Sequence, residues 1–258
     1  EKPLMRLQSI FRLSLFAFMA ISFFSFNEKE DFTIETADAY MPLAVGKYIT
    51  YRVDSMVFVN FGKDTEIRSY QIKHRVDAII TDAEGRPAYR IYRSLRDVAG
   101  LQPWQEVGSY TVTTLSDQIE VTENNLRFIK LHSPVRFGFS WKGNKYFPDN
   151  PYNAAYNFSN DDNIEDWEYS YDELSSFSYG GINYTDVQTV EQIDEAFNVP
   201  ITSPTSYAAK SRGVERYSKN IGLIYREYEL WEYQPNTGNP AGPYKTGFGI
   251  TMWMIDHN

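Results

Sequence analysis

From residue 47 onward the chain is written in a period of two, and that pattern restricts its fold more than any other feature. In residues 47–59 (KYITYRVDSMVFV), Tyr48, Thr50 and Arg52 alternate with Ile49, Tyr51 and Val53. A strand sends successive side chains to opposite faces, so one set is buried and the other meets water. A slip of one residue would turn the whole apolar set outward, so the pairing register is strongly specified. Residues 67–80 repeat the pattern and end at Asp82-Ala83-Glu84-Gly85-Arg86-Pro87; residues 89–93 resume it. Together these segments predict an antiparallel meander. Further extended segments follow at 109–115, 118–122, 126–131, 166–172, 183–193, 207–217, 222–233 and 247–256. A Gly/Asn/Pro-rich stretch at 143–160 reads as a long loop, and 234–243 (QPNTGNPAGP) as a break before the last strand. Helical periodicity is weak, with residues 191–197 read as one short turn of helix. Twenty Tyr, 17 Phe and 5 Trp reinforce the bias, because aromatic residues suit a pleated, half-buried surface. The expected fold is all-β: a single antiparallel domain, strongly curved or closed into an open half barrel, with little helix.

The first 26 residues read differently. Lys2, Arg6 and Arg12 precede LSLFAFMAISFFSF (13–26), an uncharged apolar run. A basic start followed by a short apolar core describes a secretory signal peptide, and the run is short of the ~20 residues a spanning helix needs. An acidic stretch, 27–39, then leads into a β domain expected over 40–258. This organisation predicts an exported protein of the outer membrane surface or periplasm, touching a membrane only through its N-terminal segment.

Charge and composition exclude several classes. The net charge is −9, and setting aside the basic leader makes the remainder more acidic still, so phosphate backbones are repelled and nucleic acid is not an expected partner. No cysteine is present, which removes disulfides, thiolate catalysis and Cys-ligated metals. His74, His132 and His257 lack ligand-spaced partners, and no nucleophile elbow, phosphate loop or dinucleotide fingerprint occurs.

Two segments carry a resemblance. Phe23-Phe24-Ser25, then Phe26 and Asn27-Glu28-Lys29-Glu30-Asp31, resembles the signal and acidic export tag of Bacteroidota lipoproteins, with Phe26 where that group has its lipidated Cys. Either a natural Cys has been replaced there, or cleavage follows Ala20-Ile21-Ser22 by the ordinary route. Residues 40–51 (YMPLAVGKYITY) resemble the Y-x-P-L-x-V-G-x-Y-x-x-Y opening of an uncharacterised group of Bacteroidota outer-membrane lipoproteins. Residues 126–131 and 219–227 are similar to its later segments. The resemblance implies an envelope location and a curved β architecture, and no activity. Read physically, Pro42 sets the chain before a strand, and Gly46 and Gly222 supply positive φ or close approach.

Candidate sites are sparse. Asp161, Asp162, Glu165 and Asp166 place hard oxygen ligands close together in an acidic run, and calcium is the one cofactor such a run invites. The wider run, with Glu168, Asp172 and Glu173, also supplies the paired carboxylates of a glycan hydrolase. The alternation with Trp167, Tyr169 and Tyr171 reads more simply as a strand with acids in water. Trp104, Trp141, Trp167, Tyr169, Tyr171 and Trp231 are candidate ligand-stacking rings, most of them expected in the core. Asp54-Ser55-Met56 resembles an Asp-Ser/Thr-apolar acceptor for O-glycosylation, at Ser55. The leading expectation is a non-catalytic envelope protein that binds another envelope protein or a glycan. Two alternatives are a carrier holding a lipid or other apolar ligand in a concave sheet, and the hydrolase.

Overall fold

The structure, a computed structural model, describes residues 35–159, 163–236, 238 and 242–258. The expected signal segment 1–26 with Phe26, the start of the acidic stretch, and Asp161 and Asp162 lie outside the described residues.

Among the described residues thirteen strands form one antiparallel sheet: β1 (Tyr48–Val59), β2 (Asp64–Thr81), β3 (Pro87–Asp97), β4 (Gln105–Thr114), β5 (Gln118–Glu123), β6 (Leu126–His132), β7 (Ser140–Lys142), β8 (Glu168–Tyr171), β9 (Ser175–Tyr179), β10 (Ile182–Phe197), β11 (Ala208–Ser218), β12 (Gly222–Gln234) and β13 (Tyr244–His257). The order is β6-β5-β4-β3-β2-β1-β13-β12-β11-β10-β8-β7, with β9 attached to β10 as a hairpin. The chain thus meanders in one direction from β1 to β6. It then crosses to the opposite edge at β7 and returns through β8, β10, β11 and β12 to β13, which pairs with β1. The curved-sheet expectation holds, and the curvature is nearly complete: the sheet forms a barrel with a seam where β6 meets β7.

The seam is closed mainly by side chains. Among the described residues one backbone bond crosses it beside these strands, Ile129 N–H to the Gly143 carbonyl at 2.7 Å. The Trp141 indole N–H donates to the Ile129 carbonyl at 2.9 Å. The Tyr171 hydroxyl accepts from His132 N–H and donates to the His132 carbonyl, at 2.9 and 2.8 Å. These rings substitute for ladder bonds that a paired strand would have made, so the edge groups of Ile129 and His132 are satisfied. Gly143 makes the crossing possible, because a Cβ there would lie 2.3 Å from the Tyr169 ring.

Two segments were read otherwise from the sequence. Residues 191–197 are the last part of β10, not a turn of helix. A bulge between Glu191 and Ile193 inserts the buried Gln192 and sets Val190 and Ile193 opposite Glu215 and Gly213 on one face, a three-residue spacing that mimics a helix. Residues 35–39, read as the end of an acidic stretch, pack against the barrel. Ala37–Tyr40 is a 3-10 turn whose Ala37 and Tyr40 are buried, and the Asn220 N–H donates to the Ala39 carbonyl at 2.8 Å. Gly46 and Gly222 do adopt positive φ, at 92° and 119°. The long loop, described over 143–159, is anchored at its root by Asn144, which donates to the Ile164 carbonyl and accepts from the Tyr169 hydroxyl.

If Tyr171 closes the seam, Tyr171→Phe strands a donor and an acceptor of β6 and should cost about 1–3 kcal/mol in urea unfolding. Tyr184→Phe is the matched control, since the Tyr184 hydroxyl has no hydrogen bond among the described residues; it should stay within about 0.5 kcal/mol of the parent. Equal losses in the two variants would mean that the hydroxyl of Tyr171 does not hold the seam.

Candidate functional site

Twelve strands circle this barrel. An eight-stranded barrel is just filled by its own side chains, while sixteen or more leave an aqueous channel, so an intermediate circumference leaves space that the sequence must fill or line. Here it is filled at the waist by charge and left open on either side.

The waist is built from inward-facing positions of otherwise apolar strands. On β12, Ile224, Arg226, Tyr228 and Leu230 share one face; on β11, Glu215 lies between Gly213 and Tyr217; on β6, Lys130 follows Phe128. Glu215 receives Lys130 Nζ at 2.9 Å, Arg226 Nε at 2.7 Å and the Tyr217 hydroxyl at 2.8 Å. Lys130 and Glu215 are almost fully buried, at 6% and 2% side-chain exposure. Nearby, Arg93 of β3 pairs with Glu123 of β5. The Lys130–Glu215–Arg226 group joins β6 on one arm of the sheet to β11 and β12 on the other, so it braces the barrel across its lumen. Removing one member would leave an uncompensated buried charge.

Burial alone would raise the Glu215 carboxyl, but the adjacent Lys130 and Arg226 charges outweigh it and hold the group down at about 2. Beyond the waist, His74 of β2 sits between Tyr51 and Tyr110, its Nδ1 3.1 Å from the Tyr110 hydroxyl. Burial, with Arg226 and Arg93 nearby, pushes its imidazole down to about 3, so it is neutral near pH 7. Its Nε2 is buried without a partner among the described residues.

Two cavities flank the waist and share Glu123, Lys130 and Arg226 as their common wall. The smaller, about 80 Å³, lies toward the Tyr40–Leu43 end beside His74 and Tyr110. The larger, about 560 Å³, lies under the 151–156 loop beside the β5–β6 turn. Its walls are apolar and aromatic: Phe128, Tyr152, Tyr156, Tyr228, Phe248 and Ile250. Tyr156, Tyr228 and Tyr152 pack about Phe248, with centroid distances of 5.2, 5.7 and 5.5 Å.

The residues singled out from sequence fall elsewhere. Trp141, Tyr169 and Tyr171 are buried at the seam, and Trp167 is buried beside Tyr228. Trp231 is buried in a second cluster on the outer side, with Ala208 and Tyr233, covered by Val199 and Ile201. Trp104 is half-buried, with the Arg96 guanidinium 4.2 Å and the Lys73 ammonium 4.9 Å from its ring. Ser55 lies on β1, its hydroxyl 2.6 Å from that of Tyr70. Of the acidic run, Asp166 pairs with Lys142, Glu168 accepts from the Ser140 hydroxyl, and one Glu165 carboxylate oxygen is buried without a partner among the described residues. No cluster of three metal-ligating side chains occurs among the described residues. The waist has one signal in the sequence: Arg226, Lys130 and Glu215 each occupy the apolar phase of a period-two strand.

No family model and no curated protein matches the chain. Among solved structures, a Bacteroides fragilis protein described as exported, with a YmcC-like fold, aligns at 13% identity over 83% of this chain and 98% of its own, with a TM-score of 0.31. A Vibrio parahaemolyticus domain described as an outer-membrane lipoprotein-sorting protein aligns at 14% identity over 83% of this chain and 85% of its own, with a TM-score of 0.19. With scores this low, neither alignment decides anything about fold or function.

The His74 environment has a consequence in solution. An ordinary imidazole titrates near 6.5 and that of His74 near 3, so between those values the unfolded chain binds the extra proton. Stability from this group is complete above about pH 6.5 and falls as the pH drops toward 3, by up to about 1.4 kcal/mol per pH unit. Glu215 contributes with the same sign only below its ordinary 4.5. In urea titrations, His74→Gln should therefore flatten the stability profile between about pH 6.5 and 4.5 while keeping the loss below it. An unchanged profile would show that His74 is not held neutral.

Proposed function

We propose that this protein is a non-catalytic carrier of the cell envelope that holds a small apolar molecule in the larger cavity of its barrel. The observation that carries this reading is the cavity itself. About 560 Å³ stands open under the 151–156 loop, within the ~300–1,000 Å³ usual for small-molecule sites. It is lined by aromatic and aliphatic side chains with a few polar groups at one end, which is the common chemistry of such sites. A barrel needing only stability would gain from filling that volume, since empty apolar space costs packing energy.

The aromatic rings considered as sugar platforms are, Trp104 apart, packed in the interior or under covering segments. The candidate ligand surface therefore moves from the outside of the sheet to its lumen. The described acids of the 165–173 run give little support to the hydrolase, because Asp166 and Glu168 are engaged with Lys142 and Ser140 on the solvent side of β7 and β8. The envelope location is supported by the leader-like residues 1–26 and by the resemblance of residues 40–51 to Bacteroidota outer-membrane lipoproteins.

The test uses N-phenyl-1-naphthylamine, a neutral dye that fluoresces in apolar surroundings. It should bind the purified protein and lose affinity by at least about tenfold in Ala155→Trp, where an indole added at an exposed position of the cavity rim fills the space. That variant should keep the parent's unfolding midpoint. Dye binding that is absent in the parent, or untouched by the filled rim, would remove the carrier reading.

A further inference from the structure

The cavity has a chemically distinct floor. Three cations meet there, Arg93, Lys130 and Arg226, against two carboxylates, Glu123 and Glu215. One positive charge is left over, in a protein whose net charge is −9. Lys130 and Arg226 share the Glu215 carboxylate, and Arg226 is the more accessible of the two. Its Nε is taken by Glu215 at 2.7 Å. Its two terminal amino groups have no hydrogen-bond partner among the described residues, yet they are not sealed off. The Arg226 side chain keeps 22% of its surface accessible, and since it lies inside the barrel and borders both cavities, that surface faces the cavities. Arg93 adds a buried Nε without a partner on the same floor.

A guanidinium that shares its one bonded carboxylate with a second cation in a low-dielectric lumen is incompletely neutralised, which is costly. A planar guanidinium with free amino groups matches a carboxylate in both charge and geometry. Above it, the walls turn mainly aromatic and aliphatic: Phe128, Tyr228, Phe248 and Ile250. We infer that the molecule held in this cavity is an acidic amphiphile, a carboxylic acid with an apolar tail, whose head pairs with Arg226 and whose tail runs along the aromatic wall toward the 151–156 loop. This rests on the carrier reading above and adds the class of ligand to it.

Displacement of bound N-phenyl-1-naphthylamine by laurate, dodecanol and acetate separates the two claims. At about pH 8 the carboxylic acid is ionised. Laurate and dodecanol then share a tail and differ in head, while acetate carries the head alone. Laurate should displace the dye at a concentration at least about tenfold lower than dodecanol, and acetate should not displace it at all in that range. In Arg226→Gln the laurate and dodecanol curves should come together, with dodecanol little changed. Equal displacement by laurate and dodecanol in the parent would overturn the acidic head while leaving the carrier reading in place. A laurate preference that survives in Arg226→Gln would overturn the assignment to Arg226. Displacement by acetate as strong as by laurate would reduce the floor to a simple anion site and overturn the amphiphile. A protein that binds neither the dye nor either amphiphile would lose both readings. The parent comparison needs no variant, so it stands even where Arg226→Gln does not fold.

Discussion

A sheet this long cannot remain open without two exposed edges, and the way those edges are satisfied governs the rest of the molecule. β6 and β7 come together through side chains, with the Trp141 indole and the Tyr171 hydroxyl bonded to β6 backbone groups that a neighbouring strand would have taken. The closure is possible because of the chain's path. β6 and β7 are consecutive in sequence yet lie at opposite ends of the strand order, so the segment linking them needs only to step across the seam. Gly143 lets the Tyr169 ring lie over that step.

Closing twelve strands around one axis fixes how much interior there is, and the apolar side chains do not fill it. The Lys130–Glu215–Arg226 group occupies the waist and ties the two arms of the sheet across the lumen. Ionic groups in such a place are weak evidence of stabilisation, because their desolvation offsets much of their attraction. Their placement between two cavities, with one cation in excess, is better understood as a property of the cavity than of the core. Burial, helped by the Arg226 and Arg93 charges, depresses the His74 imidazole on the far side of the waist, so the neutral state of that histidine follows first from its enclosure in the lumen.

Much of the architecture was legible as alternation. The meander β1–β3 and strands β11–β13 follow stretches whose period of two is nearly unbroken, and the loop at 143–160 follows its Gly, Asn and Pro content. The departures have local causes. The Glu191/Ile193 bulge set Val190 and Ile193, three residues apart, on one face and disguised the end of β10 as helix. The short hairpin strand β9 has little apolar content of its own and is held by Phe177 and Tyr179 against Tyr225 and Trp253 on the outer face, contacts invisible in a local pattern. The site was less legible than the fold. Trp141 and Tyr171 drew attention as rings and serve as seam bonds. Arg226, Lys130 and Glu215, by contrast, were passed over because a charge in the apolar phase of a strand can equally belong to a surface ion pair, as Arg212 and Glu191 do.

The sequence by itself determined that this chain makes antiparallel strands, which face of each is buried, and where the turns fall, because those properties follow from the two-residue period of the backbone and from Gly, Pro and Asn at the breaks. Only the tertiary structure decided that the sheet closes, that its two edges meet through Trp141 and Tyr171, and that Arg93, Glu123, Lys130, Glu215 and Arg226 converge. Those residues come from five strands, 133 positions apart at the extremes, and periodicity carries no information about which distant strands share a lumen. That convergence arises from sheet curvature and strand order, which depend on the whole chain at once.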